Sequence, residues 1–356
     1  KVAFLKLKRE VSMKFNKIHC DDMTRCYCAS HIEIDGELVA LFASEDPTSV
    51  CHAYSGENFE HKEVVWDNAG GCMSIIPIPN KKNEFLAVQE FYLKVNPSLA
   101  KIVWGKYEKE TGWVIKDVLH LPYLHRFDIY HKNGINYFIG ATIAEDKKDK
   151  EDWSKSGEIF AGVLPDDPTK GIELNKIVDG CFRNHGYCRG EFEGSVCGYF
   201  ASDQGVLRVT PPDQLDGDWH VEKIMEGRIS EIAFVDINND GIEEMMTIEP
   251  FHGNTMKIYK LKDGKYECDF VYPYEIDFAH TLVGTKFCGK NSFLGGVRRV
   301  NAELFVIQYV DNKYEVTIIE NGVGPANIDV VHRENDDIII AANHTKNEAA
   351  IYVATA

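Results

Sequence analysis

Seven times along the chain a polar turn runs into a short segment of small and branched apolar residues. The first four are DGELVALFAS from Asp35, KNEFLAVQEF from Lys82, NGINYFIGAT from Asn133 and EGSVCGYFAS from Glu193. DGIEEMMTIE from Asp240, KNSFLGGVRR from Lys290 and NDDIIIAANH from Asn335 complete the set. A spacing of about 45 to 60 residues is that of a propeller blade, a unit that must stack on its neighbours to bury its apolar faces. Helical periodicity is nearly absent. Each run is followed by strands with polar alternation, such as AKIVWGKYEK and GWVIKDVLHL, and preceded by a short strand such as RFDIYH or EIAFVD.

Four strands per unit and seven units predict an all-β chain: a seven-bladed β-propeller of four-stranded antiparallel blades in one domain. A pair of β-sandwiches is the rival architecture. The expected blades are 17–68, 69–122, 123–180, 181–227, 228–277, 278–322 and 323–356. The last unit ends at AAIYVATA without an outer strand, and VAFLKLKREV near the N-terminus is a strand without a unit. Residues 1–16 are therefore expected to close the last blade and hide two sheet edges. The charged insert AEDKKDKEDWSKSGE of the third unit reads as a solvated loop.

A net charge of -17 argues against nucleic-acid or anionic-membrane partners, because phosphates would be repelled overall. No apolar run approaches the roughly 18 residues of a membrane span, and the lysine-interrupted N-terminal segment does not read as a signal peptide. The ten cysteines form no CxxC pair, and several lie in apolar strands, as in GSVCGYF. Reduced thiols and a cytoplasmic location are the expectation.

In a propeller the inner strands line the central channel. Aligning their starts (LHRFDI, NHGYCRG, ISEIAF, AHTLVG, ANIDVV) puts His125, His185, Ser230, His280 and Asn327 in one column. Three imidazoles on one ring predict a divalent metal site for Zn, Mn, Fe or Mg, with His125, His185 and His280 as ligands. The connector EPFHG should overhang the same rim, which offers Glu249 as a fourth ligand and His252 as a ligand or proton carrier. His344 is the other expected proton carrier, and Arg298 and Arg299 would fix a carboxylate or oxo group. Glu90, Asp203, Tyr92 and Trp153 are expected to contact a sugar or oligosaccharide.

DINNDGIEE, residues 236 to 244, resembles the Asp-rich loop of FG-GAP or VCBS-type propellers. Asp236, Asn238, Asp240 and Glu244 alternate there, and the resemblance implies a possible Ca²⁺ loop, against a plain hydrogen-bonded turn. With the histidines at the inner strands and EPFHG…KIY, the layout resembles the propeller of aldos-2-ulose dehydratase and 1,5-anhydro-D-fructose dehydratase. That resemblance implies a metal-dependent carbon–oxygen lyase acting on a keto-sugar or uronide. A metal-assisted hydrolase or epimerase would use much the same ligands, and a non-catalytic propeller binding a glycan or protein is the alternative. The oligomeric state is not legible.

Overall fold

The computed structural model describes residues 13–94 and 97–356. They form seven four-stranded antiparallel sheets, with two short 3₁₀ turns between strands. In chain order the inner strands are Cys26–Ile34, Ile75–Pro77, Leu124–Lys132, Gly186–Phe192, Glu231–Val235, Asp277–Phe287 and Asn327–His332. Each pairs with the small-residue strand predicted to follow it, for instance Ile135–Thr142 in the third blade and Asp337–Asn343 in the seventh.

Buried apolar residues fall into seven clusters; six lie between two neighbouring blades, and the largest joins the second and third blades and reaches Tyr27 and Ala326 across the channel. One joins Ile338, Ile340 and Ile351 of the last blade to Phe42 and Tyr54 of the first, so the ring is closed by the same packing that holds its other joints. Close approach explains the glycines of the pattern. A Cβ on Gly284, in the sixth inner strand, would stand 2.2 Å from the Phe234 carbonyl oxygen of the fifth blade, a backbone atom that cannot swing away.

The last blade takes its outer strand from the N-terminal side of the chain. Lys14–Asp22 runs antiparallel to Glu348–Thr355, so closure by an N-terminal strand holds, and Lys17 to Asp22 belong to the last blade rather than the first. The run VAFLKLKREV lies outside the described residues. Side chains tie the closing strand to both neighbours. Lys17 Nζ bonds Glu320 of the sixth blade at 2.8 Å and Glu348 at 2.7 Å. Asp21 accepts from His52 at 3.0 Å, Tyr54 at 2.9 Å and Lys62 at 2.5 Å of the first blade.

All ten cysteines are free thiols, and no helix among the described residues is long and apolar enough to cross a membrane. In the long third-blade insert, Lys150, Glu151 and Trp153 line the mouth of the channel, so this loop is more than a solvated excursion.

Candidate metal centre

Two of the imidazoles reach the channel axis through local irregularities at their strand starts, while His185 directly precedes a regularly paired strand and His252 comes from a connector. His125 occupies an extra residue between Leu124 and Arg126, and His280 another between Ala279 and Thr281. Tyr27 sits in the equivalent bulge of the first blade, between Cys26 and Cys28. A bulge breaks strict alternation and re-aims the side chain, here towards the pore. The ring centroids of His125 and His185 are 4.6 Å apart, and those of His185 and His280 are 5.2 Å apart.

Three ligand atoms converge most closely, those of His185, His252 and His280, all within 4.8 Å of one another. The Nδ1–H of His185 donates to the Ser230 carbonyl at 3.0 Å, and that of His280 donates to the Ala326 carbonyl at 2.7 Å. Each bond fixes the tautomer and turns the Nε2 lone pair inward, as second-shell carbonyls do for metal-bound histidines. His252 Nε2 faces His185 Nε2 at 3.1 Å. The His252 ring is clamped between Phe251 and Phe278, with centroids at 4.0 and 4.3 Å, and its backbone N–H donates to Ser230 Oγ at 3.0 Å. Ser230 therefore positions two of the three.

Burial keeps these rings neutral. It pulls His185 down to about 3, with the Arg126 guanidinium adding to the effect. His125, His252 and His280 also lie well below the ordinary imidazole value, first through burial and then through one another and Arg126 or Arg298. Neutral nitrogens are what a transition metal requires. Tetrahedral metal–nitrogen bonds of about 2.1 Å set ligand nitrogens roughly 3.4 Å apart, so the set would hold an ion only after its widest separation contracts by about an ångström.

The structure places the other expected residues unevenly. His125 lies beside the trio, with Nε2 3.4 Å from the Tyr27 hydroxyl and Nδ1 buried without a partner among the described residues. Tyr27 also lies 3.3 Å from His280 Nε2. Glu249 is not brought to the cluster. Its carboxylate accepts from Lys257 at 2.6 Å and from Thr247 and Tyr259 at 2.7 Å. The chain turns after Glu249 so that His252, rather than the carboxylate, points to the axis. His344 stands behind the cavity wall: Arg298 donates to its Nδ1 at 2.6 Å, and its Nε2–H donates to Glu45 at 2.7 Å. It orients Arg298 rather than facing the cavity. Asn327 pairs with Ala342, the level at which Arg126 pairs with Ala141, one step deeper. There Arg126 donates to Asn327 at 3.0 Å and to buried Glu231 at 3.2 Å.

Above the trio opens a cavity of about 520 Å³, with Tyr27, His125, His185, His252 and His280 in its lining. Tyr92, Trp153, Arg298 and Arg299 line it as well; Glu90 and Asp203 do not. Asp203 instead holds the lining residue Arg183 at 2.5 Å. Tyr27, Phe278 and Arg183 are cavity residues that the column alignment left out. The Asp-rich loop does bring Asp236, Asn238, Asp240 and Glu244 together. Both Asp236 oxygens accept backbone N–H groups, Asp240 accepts from Ile242 and Asn238, and Glu244 accepts from Ile237 and Asn238. The turn thus satisfies its own carboxylates.

No protein-family model matches the chain, and no curated protein matches it. Solved structures do. The Saccharomyces cerevisiae protein Sqt1 superposes with a TM-score of 0.56 at 8% identity, covering 96% of this chain and 97% of its own. A Bacteroides fragilis protein described as a candidate 6-phosphogluconolactonase gives 0.56 at 10% identity, covering 86% and 88%. At such identities the likeness is one of fold: this chain is a seven-bladed propeller with an imidazole-floored cavity on its axis.

Proposed function

We propose that the protein is a metal-dependent carbohydrate enzyme that breaks a carbon–oxygen bond by β-elimination, a lyase or dehydratase in the manner of the dehydratase propellers it resembles. One observation carries this reading: three neutral imidazoles from three blades converge on the floor of a cavity open to solvent. His185, His252 and His280 would hold the ion; an all-imidazole set favours Zn²⁺ or Fe²⁺ over Mg²⁺. When bound, such an ion supplies Lewis acidity towards a carbonyl or carboxylate oxygen of the substrate. A fold neighbour named for a phosphogluconolactone accords with a sugar derivative as substrate.

Proton movement falls to His125 and Tyr27. The neutral His125 imidazole takes the proton from the carbon next to the carbonyl. The Tyr27 phenol gives its proton to the departing oxygen. Their 3.4 Å contact then lets His125 return a proton to Tyr27, so the relay resets without bulk solvent. Arg298, held by His344, orients an oxyanion of the substrate.

The test begins with metal analysis of the purified protein and of a His185→Ala/His280→Ala double variant. One equivalent of metal in the parent and none in a folded variant is expected. Incubation with uronides and keto-sugars should then produce the ultraviolet absorbance of a conjugated unsaturated product, an elimination signature. No metal in the parent, or no unsaturated product across the panel, overturns the reading.

A further inference from the structure

The chain carries 56 acidic against 39 basic side chains, yet its axial cavity reverses that balance. Seven cationic side chains line the cavity against two carboxylates, Glu45 and Glu151. They fall into two groups. Arg25, Lys94, Arg298 and Arg299 come from the first, second and sixth blades. Lys150, Arg183 and Arg228 come from the third-blade insert and the approaches to the fourth and fifth blades. In a ring of seven the fourth blade stands across the channel from the seventh and first, so the groups face each other over the histidines.

Each group has an aromatic platform. Arg25 lies over Tyr92 at 4.9 Å, and Arg298 and Arg299 lie over Phe278 at 4.8 and 4.5 Å. Opposite them, Arg183 lies over Trp153 at 5.1 Å and over Phe251 at 5.9 Å. Neutralisation within each group is incomplete. Arg25 pairs with Glu45 at 2.5 Å, Arg299 with Asp277 at 3.2 Å and Lys150 with Glu151 at 3.4 Å, while Lys94 makes no ion pair among the described residues. Asp203 serves both Arg183, at 2.5 Å, and Arg228, at 3.4 Å. Arg298 bonds neutral His344 and makes no ion pair among the described residues. Guanidiniums stacked on aromatic faces at the cavity wall, outnumbering the carboxylates that pair with them, are suited to receive planar oxyanions.

We propose that the cavity takes an acidic oligosaccharide, with oxyanion groups of two of its sugar residues held by the two opposed cationic groups. The ring between them would lie over the histidines. A volume of about 520 Å³ falls within the range of roughly 300–1,000 Å³ for small-molecule pockets. The inference rests on the carbohydrate reading above and narrows its substrate class; the oxyanions are carboxylates or sulfates.

Calorimetric titration tests it with four probes: a uronic-acid trisaccharide, the neutral trisaccharide of the same linkage, the uronic-acid monomer and a sulfated trisaccharide. At least one acidic trisaccharide should bind tenfold or more tightly than the neutral one and the monomer, and which of the two does so identifies the oxyanion. Arg298→Gln and Arg183→Gln should each weaken that binding by about tenfold to a hundredfold, the worth of a charged hydrogen bond. Metal content should stay unchanged in both variants. Equal binding of neutral and acidic probes, or unchanged affinity in both variants, overturns the proposal. Failure of the enzymatic reading looks different: tight acidic binding without product, or with no metal, leaves this proposal standing. Turnover of neutral sugars with no preference for acidic ones does the reverse.

Discussion

Replacing Glu348 by Gln should loosen the closure of the ring by about 2 kcal/mol at neutral pH and by much less in acid. The side chain is only 4% exposed, at the start of the strand that pairs with the closing strand. Burial alone would raise its carboxyl. Bonds from Lys17 at 2.7 Å, Asn343 at 2.8 Å, Lys346 at 3.0 Å and His19 at 3.0 Å outweigh that and hold it at about 2, against 4.5 ordinarily. At about 1.4 kcal/mol per pH unit the drop corresponds to roughly 3 kcal/mol. Lys17 and Lys346 are 22% and 44% exposed, so solvent screening trims the figure to about 2. Because the folded value lies below the unfolded one, this stability is present in full above pH 4.5 and fades as pH falls towards 2. Urea unfolding followed by far-ultraviolet circular dichroism, on parent and variant at pH 7, 5 and 3.5, measures the gap. It should be constant between pH 7 and 5 and visibly smaller at pH 3.5. A gap below about 0.5 kcal/mol at pH 7, or one that does not shrink in acid, refutes the reasoning.

Gly284→Ala forces a methyl group against the backbone of the fifth blade and should cost about 1–3 kcal/mol in the same denaturation assay, with no loss of bound metal. Tyr27→Phe should leave metal content unchanged and lower the elimination rate by about a hundredfold or more, measured as product absorbance. Burial lifts the Glu244 carboxyl to about 7, so in chelator the stability it contributes is full below pH 4.5 and lost as pH rises through 7. Glu244→Gln should therefore gain on the parent between pH 5 and 8, and melting temperatures in buffers across that range would show it.

The blade count was legible because a propeller interface demands the same small, branched surface seven times, from Val39 to Ile338. Four pore residues also share one offset. Tyr27, His125, His185 and His280 each precede the start of the next strand (Glu37, Ile135, Ser195 and Lys290) by ten residues. The column of strand starts covers only the third to seventh units and so leaves out Tyr27 of the first, although this spacing marks it. Asn327 shares the ten-residue offset but lies one level deeper, because the seventh blade joins His332 to Asp337 through a four-residue turn where the third and fourth blades use two. Glu249 and His252 lie three residues apart in a turn, and which of them faces the axis depends on Lys257 and Tyr259 capturing the carboxylate from the next strand. No local pattern encodes that contest. The cationic groups were harder still, since Arg25, Arg183 and Arg228 come from loops whose meeting depends on the closed ring.

The closing strand also sets an order of events during synthesis. His19 bonds a carboxylate 329 residues further along the chain. At roughly 5–20 residues per second, Lys14–Asp22 leaves the ribosome about a quarter of a minute to a minute before its partner exists. Throughout that interval its backbone donors and acceptors lack the partners they have in the closed ring. Lys14–Asp22 can complete its sheet only once Glu348–Thr355 has been made, and a chain terminated before that strand would leave the closing edge unpaired.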